Sequence, residues 1–199
     1  MKPVQPPAGF ADDCIKVRRA VAAIKVPKIS RNSDSLTGDE TAIYRIVLQQ
    51  QSDEGVLNVS SRTFPLDTID DVSSCECIEG MEPDALVRVA HSYHQLTPEL
   101  LRNLDARLVN GKEQATLVRA NDPGNPENKA ESLDEAHENA FATGLFSLSE
   151  IVFDANHTRA LVSFSFVCGS LCGRGSTNLF EKIDGKWRQT NRVCGGWLS

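Results

Sequence analysis

The C-terminal quarter of the chain alternates between apolar and polar residues, which is the pattern of strands that bury one face. The segment 159–167 shows the alternation most clearly, and Asp184-Gly185 has the composition of a two-residue hairpin turn. We therefore predict a four-stranded antiparallel meander. Its strands are 149–153, 159–167, 176–183 and 186–197.

Most of the preceding sequence has the apolar spacing of three to four residues that is typical of helices. Thr97 followed by proline is a typical helix start, and Asn110 followed by glycine is a typical helix end. Two short segments, 56–60 and 115–118, have the composition of strands. The predicted helices are 12–24, one that begins with Asp39 as its N-cap, one that begins at Pro83, 97–110 and 133–141.

These elements predict an α+β fold in which N-terminal and middle helices pack on the C-terminal four-stranded antiparallel meander. The chain has 199 residues, 40% of them hydrophobic and 24% charged, which is typical of a globular protein. Residues 1–9 are proline-rich and indicate a lead-in, and 10–199 are predicted to form a single α+β domain.

The formal net charge of -6 argues against a nucleic-acid partner, because such proteins carry a basic surface. No stretch has the length and apolar character of a membrane span, and the N-terminus lacks the apolar core of a signal peptide. Two interpretations remain: a cytoplasmic protein, or an exported one with a removed leader or a lipid anchor. The even number of cysteines, 6, favours a periplasmic or secreted location.

Cys168, Cys172 and Cys194 lie close together on the predicted meander. Pairing without bulges would place Cys168 and Cys194 on either side of Gly175, about 9–10 Å apart, which is too far for a disulfide. Cys172, in the intervening loop, is therefore predicted to pair with Cys194, and a local Cys168–Cys172 disulfide is the alternative. Zinc bound together with His157, or three reduced thiols, would also account for these cysteines.

The other three cysteines are Cys14, Cys75 and Cys77. Cys75 and Cys77 are too close in sequence to bridge each other without strain, so Cys14 is predicted to pair with one of them. One cysteine would then remain in each half of the chain, and those two could join the halves.

The glycine-rich segment around Cys172 is predicted to be a bulged hairpin loop in which Gly169, Gly173 and Gly175 adopt positive φ angles. It lacks the lysine of a phosphate-binding loop and does not precede a helix. Arg174, at the predicted tip, could contact a carboxylate or a phosphate. Gly173, Arg174 and Gly175 therefore form a candidate binding loop.

No motif assigns a catalytic, cofactor-binding or metal-binding role to any residue, and no cofactor is expected. His91 and His94 have the spacing of a helical metal-binding pair, but the sequence identifies no third ligand. Trp187 and Trp197 are predicted to lie in the core.

The chain ends with three short motifs: CGSLCGRG at 168–175, DGKW at 184–187 and WLS at 197–199. Together they resemble a block of an uncharacterised family of small exported or anchored bacterial proteins. The resemblance covers the C-terminal quarter of the chain. It implies an α+β domain in an exported protein and brings no catalytic residue with it.

We expect a non-enzymatic protein-interaction domain of an exported bacterial protein, such as an inhibitor or an immunity-type binder. The acidic charge suits a basic partner protein. Two alternatives remain open. One is a hydrolase with an unrecognised active site that uses His91, His94 or a thiol, and the other is a thiol-redox or metal-handling protein.

Overall fold

The structure is a computed structural model that describes residues 28–51, 55–66 and 75–199, together with Arg19. The lead-in 1–9, the predicted helix 12–24 apart from Arg19, Cys14 and the side chain of Cys75 lie outside the described residues. The fold is α+β, as predicted. The helices are α1 (Gly38–Gln51), α2 (Pro83–Ala90), α3 (Gly111–Ala120) and α4 (Leu133–Thr143), with two 3-10 helices at Cys75–Cys77 and Pro98–Leu101.

Most of the strands form one mixed sheet. Its path is β4-β2-β5-β7-β8-β9, with β6 paired to β7, and the short β1 and β3 pair separately. The strands are β1 (Ser30–Arg31), β2 (Leu57–Ser60), β3 (Ser92–Tyr93), β4 (Ala106–Val109), β5 (Leu145–Leu148), β6 (Val152–Phe153), β7 (Arg159–Gly169), β8 (Cys172–Ile183) and β9 (Lys186–Leu198).

The antiparallel meander is confirmed in β6 to β9. Asp184 and Gly185 have φ angles of 50° and 73°, which are typical of a two-residue hairpin turn of type I′. Glu181 lies opposite Arg188, so the hairpin register is also as predicted from the turn. The sheet is larger than the meander, because β5 adds a further antiparallel strand and β2 and β4 continue it in parallel.

The predicted helix 97–110 and the predicted strand 115–118 are both wrong. The helical turn at Pro98–Leu101 ends early, and Asn103 has a φ of 63°, which no α-helix contains. Residues 106–109 then pair with β2 as strand β4, so sheet pairing overrides the leucine spacing. Asn110 caps α3 instead of ending a helix, because its side chain accepts hydrogen bonds from the backbone of Lys112 and Glu113.

Helix α1 begins with a capping box, not with Asp39 as the N-cap. The Thr37 hydroxyl accepts from the backbone N–H of Glu40, and the Glu40 carboxylate accepts from the backbone N–H of Thr37. The helix buries one face on the sheet. That face comprises Ile43, Tyr44, Val47 and Leu48.

The two faces of the sheet bury two separate apolar clusters, because side chains alternate along each strand. Val162 and Phe180 belong to the cluster under α1. Leu161 and Leu179, one position along, belong to the cluster that also holds residues of α2. The sheet therefore lies between two separate hydrophobic cores.

The favoured pairing of Cys172 with Cys194 is wrong, and the alternative, a local Cys168–Cys172 disulfide, is confirmed. Cys194 pairs with Cys77, with their Cα atoms 5.8 Å apart, and Cys168 pairs with Cys172, with their Cα atoms 5.1 Å apart. The first bond joins the two halves of the chain. Because Cys168, Cys172 and Cys194 are all oxidised, they do not form a zinc site with His157. The alternative of three reduced thiols is wrong for the same reason.

Bulges in β9 explain the wrong register at Cys194. Phe180 pairs with Gln189 but Asn178 pairs with Val193, so β9 contains extra residues that β8 does not match. Gly175 consequently lies opposite Trp197 and not opposite Cys194. Cys194, three residues before Trp197, is buried in the second apolar cluster.

We predict unequal contributions of the two disulfides to stability. Cys77–Cys194 spans 117 residues, so replacing both cysteines by alanine should lower the free energy of unfolding by about 3–5 kcal/mol. Cys168–Cys172 spans only 4 residues, and its double alanine variant should lose about 2 kcal/mol or less. Urea unfolding without reductant measures both. Equal losses would contradict a loop-closure origin.

Candidate functional site

Arg174 lies inside β8 and not in a loop, because the turn between β7 and β8 consists of Ser170 and Leu171 alone. Its backbone pairs with Phe166, so both side chains project from the α1 face of the sheet. The guanidinium carbon of Arg174 lies 6.0 Å from the centroid of the Phe166 ring. Its Nη2 atom also donates a hydrogen bond to Oε1 of Gln51, at 2.9 Å.

The predicted binding loop of Gly173, Arg174 and Gly175 is therefore divided between two faces of the sheet. Neither Gly173 nor Gly175 has a positive φ, and the same holds for Gly169, so the predicted reason for these glycines is wrong. A Cβ at Gly175 would lie 2.2 Å from Nε1 of Trp197, and one at Gly173 would lie 2.9 Å from its ring. The glycines make room for an indole on the face opposite to Arg174.

A cleft opens around Arg174, and we call it the arginine cleft. Its volume is about 530 Å³. It lies where the end of α4, the start of β2 and the adjoining parts of β7 and β8 meet. Its lining includes the side chains of Val56, Arg107, Glu138, Phe141, Phe166 and Arg174.

Two phenylalanines form the apolar wall of the arginine cleft. Phe141 stacks on Phe166 with the ring centroids 6.0 Å apart, and 56% of Phe141 is exposed. Gly144 permits this arrangement, because a Cβ there would lie 2.4 Å from the Phe166 ring. An exposed, stacked phenylalanine is an apolar surface that a ligand could cover.

Arg107 is held in the cleft by a buried amide. Asn58 is 2% exposed, and its Nδ2 donates to the carbonyl oxygens of Ala142 and Gly144, at 2.9 and 3.0 Å. Its Oδ1 accepts from Nε of Arg107, at 2.8 Å. The two terminal amino groups of Arg107 make no hydrogen bond to any residue that the structure describes.

Sequence reasoning does not identify Asn58 and Arg107 as partners. Arg107 lies within the predicted helix 97–110, and the parallel pairing of Asn58 with Arg107 joins strands that are far apart in the chain. The only local signal was the alternation of Ala106 and Leu108 around Arg107, and the regular leucine spacing obscured it.

His94 lies in a buried polar cluster and not beside a metal site. Its Nδ1 is 2.9 Å from Oε2 of Glu150, and the two residues are 4% and 2% exposed. The hydroxyls of Thr63 and Ser92 also donate to the Glu150 carboxylate. His91 takes no part in this cluster. Because the cluster is closed to solvent, we assign it a structural role.

The pair shifts the pKa of both partners. The hydrogen bond with Glu150 raises the pKa of His94 above 6.5, and burial opposes this only in part. Burial would raise the pKa of Glu150, but the hydrogen bonds from His94 and Thr63 outweigh it and hold the pKa below 4.5. The pair is therefore charged in the folded protein near pH 5.5 to 6.

Other predicted site residues lie apart from the arginine cleft. His157 is in a turn with its ring stacked on Phe153, at 4.9 Å between centroids. Trp187 is buried as predicted, whereas Trp197 is 47% exposed and not a core residue. Among the described residues, no three or more His, Cys, Asp or Glu side chains are placed to hold a metal ion.

Within the described ranges, no helix has both the length and the apolar composition needed to cross a membrane. No protein-family model matches the chain, and neither curated proteins nor solved structures give a match. The resemblance of the C-terminal block to exported bacterial proteins therefore stays a prediction.

We predict that stability is highest between about pH 4.5 and pH 6.5. The folded-state pKa of His94 is raised, so its contribution is complete below 6.5 and is lost as the pH rises through the folded-state value. The pKa of Glu150 is lowered, so its contribution is complete above 4.5 and is lost as the pH falls. Urea unfolding across pH 3 to 9 measures both sides of this profile: the loss of stability at high pH (the alkaline limb) and the loss at low pH (the acid limb).

The double variant His94→Gln/Glu150→Gln is the control for this profile, because it removes both charges without leaving one buried alone. It should flatten the alkaline limb. The acid limb should only become shallower, since hydrogen bonds also lower the pKa of Asp154. An unchanged alkaline limb would mean that His94 does not cause it.

Proposed function

We propose that the protein is a non-enzymatic interaction domain of an exported bacterial protein, of the inhibitor or immunity type. In this proposal the arginine cleft receives a segment of a partner protein that carries a carboxylate beside an apolar side chain. An oxidising compartment is supported by the two described disulfides.

The main support for the proposal is that the buried side chain of Asn58 holds Arg107 in the cleft. A buried amide is costly unless its hydrogen bonds are satisfied, and Asn58 spends its carbonyl oxygen on an exposed arginine. This contact fixes the guanidinium of Arg107 through Nε alone. The terminal amino groups keep the paired geometry that suits a carboxylate.

The apolar wall supplies the second part of the recognition. Phenylalanine and arginine side chains are enriched where protein partners bind, because both bury much area and arginine also offers several hydrogen-bond donors. Phe141 offers such an area immediately beside Arg174 and Arg107. A partner segment that fills the cleft would therefore bury an apolar side chain while its carboxylate meets a guanidinium.

The composition of the cleft favours binding over catalysis. Among its described lining residues, Glu138 is the only carboxylate, and there is no histidine, cysteine or serine. Proton transfer and nucleophilic attack depend on such groups acting together. The hydrolase alternative gains no support from His94, because the residue is buried against Glu150.

The protein has a net charge of -6, whereas the cleft carries two arginines, and these opposite charges would act on a partner at different distances. The net charge would steer a basic partner toward the molecule, and this effect weakens with salt. The two arginines would act only on contact. A partner that is basic overall and presents an acidic segment fits both.

The test is to isolate the partner and compare cleft variants. Affinity purification from the native organism under non-reducing conditions identifies it, and titration on a biosensor gives Kd. Arg107→Ala should weaken binding by about thirtyfold or more, because truncating one member of a buried charge pair costs about 2 kcal/mol or more.

Arg119→Ala is the matched control, since Arg119 is exposed on α3 outside the cleft. It should leave Kd unchanged. If Arg107→Ala and Phe141→Ala both bind the partner as the wild type does, the cleft is not the binding site. If no protein partner is captured at any salt concentration, the interaction function itself is wrong.

A further inference from the structure

A second concave surface lies on the face of the sheet opposite to Arg174, and we call it the serine trough. Its volume is about 600 Å³. The residues that define it are Phe64, Ser147, Ser163, Ser165, Thr177 and Trp197. It shares no lining residue with the arginine cleft.

The strand register places the floor of the trough in a row across four strands. Ser147 of β5 lies opposite Ser165 of β7, Ser165 lies opposite Gly175 of β8, and Gly175 lies opposite Trp197 of β9. Three spacings between strands make this row roughly 14 Å long. Small side chains along the row leave a shallow channel that ends at the indole.

Trp197 lies flat against β8 because Gly173 and Gly175 have no side chains. A Cβ on Gly175 would lie 2.2 Å from Nε1 of the indole, so no larger residue is compatible with this ring position. One face of the indole rests on the glycine backbone. With 47% of the residue exposed, the ring forms a rigid aromatic platform at the end of the trough.

The described lining of the trough is uncharged and combines hydroxyl-bearing side chains with aromatic ones. It contains no Asp, Glu, Lys, Arg or His, although 24% of the chain is charged. The hydroxyls of Ser147 and Ser165 are partly exposed and make no hydrogen bond to any described residue. Ser163 and Thr177 bond to each other through their hydroxyls, at 2.6 Å.

This chemistry excludes two common classes of ligand from the trough. A phosphate or carboxylate would find no cation among the lining residues. A peptide cannot insert as an added strand within the row, because β7 and β8 are already paired on both sides. β9 is the last strand of the sheet path, so a strand added to it would lie beside the row and not on it. What remains is an array of neutral hydroxyls beside an aromatic plane.

We propose that the serine trough binds a neutral oligosaccharide. A sugar ring has an apolar face of C–H groups that stacks on an indole and a rim of hydroxyls that exchanges hydrogen bonds with serine. Trp197 takes the ring face, and Ser165 and Ser147 bond to hydroxyls along the row. The length of the row matches a short oligomer better than one sugar.

The test uses three neutral trisaccharides as probes: maltotriose, cellotriose and triacetylchitotriose. Calorimetric titration of the full chain at millimolar sugar should detect binding of at least one. Trp197→Ala should weaken that binding by about tenfold or more through loss of the platform. Ser165→Ala should weaken it by about threefold to tenfold through loss of one hydrogen bond.

Two control variants show whether a loss of sugar binding is specific to the serine trough. Trp197→Phe keeps an aromatic plane and should restore most of the affinity. Leu198→Ala changes the neighbouring residue, which is 86% exposed and does not line the trough, and should bind as the wild type does. Arg107→Ala should also leave sugar binding intact, so this proposal and the proposed interaction function fail independently.

The proposal is overturned if none of the three probes binds at millimolar concentration. It is also overturned if a probe binds equally well to the wild type and to Trp197→Ala. Selective loss of binding in Trp197→Ala and Ser165→Ala, with recovery in Trp197→Phe, supports it.

Discussion

Adjacent residues of an extended strand project from opposite faces of the sheet, and both candidate sites depend on this constraint. Arg174 and Gly175 are neighbours in sequence, but Arg174 meets Phe166 on one face and Gly175 lies under Trp197 on the other. One strand, β8, therefore contributes to the arginine cleft and to the serine trough. Its backbone pairs with β7 on one side and with β9 on the other.

The same constraint divides the core into two apolar clusters, and two further contacts join segments that are distant in sequence. The buried Glu150 carboxylate holds His94, Thr63 and Ser92 together. The Cys77–Cys194 disulfide ties a short helical turn to β9 within the second apolar cluster.

Local patterns were enough to predict the elements whose partners are close in sequence. The turn at Asp184 and Gly185 determined the pairing of Glu181 with Arg188, because a two-residue turn leaves only one register. The predicted register places Cys194 opposite Gly175, which is wrong, because no sequence pattern indicates the bulges in β9. The α+β class follows from periodicity, whereas the partners of a cysteine follow from a register that one extra residue changes.

The errors at residues 97–118 and in the glycine segment have a common cause. Leucine spacing favours a helix at 97–110, but residues 106–109 pair with β2 instead, because tertiary contacts rather than local spacing decide whether a short helix forms. Glycine is usually required for a positive φ, but Gly173 and Gly175 are extended and serve to admit an indole. In both cases a contact distant in sequence decides a conformation that looks local.

The candidate sites were hidden for the same reason. Arg174 could be singled out from its neighbours in sequence, but Asn58 and Arg107 belong to parallel strands separated by 3-10 and α-helical segments. The cross-strand row of Ser147, Ser165 and Trp197 becomes visible only once the order of the strands is known. Neither set of residues forms a sequence motif, so their geometry is the only signal.

In both sites the binding side chains are positioned by neighbouring groups of the sheet. Asn58 fixes Arg107 from within the sheet, and Gly144 fixes the Phe166 ring by leaving it space. Gly173 and Gly175 do the same for Trp197. A binding side chain that is already ordered loses little entropy when its ligand arrives, and this favours affinity without any moving part. Arg107 and Trp197 lie on β4 and β9, the two end strands of the sheet path, and each is positioned by a residue of the neighbouring strand.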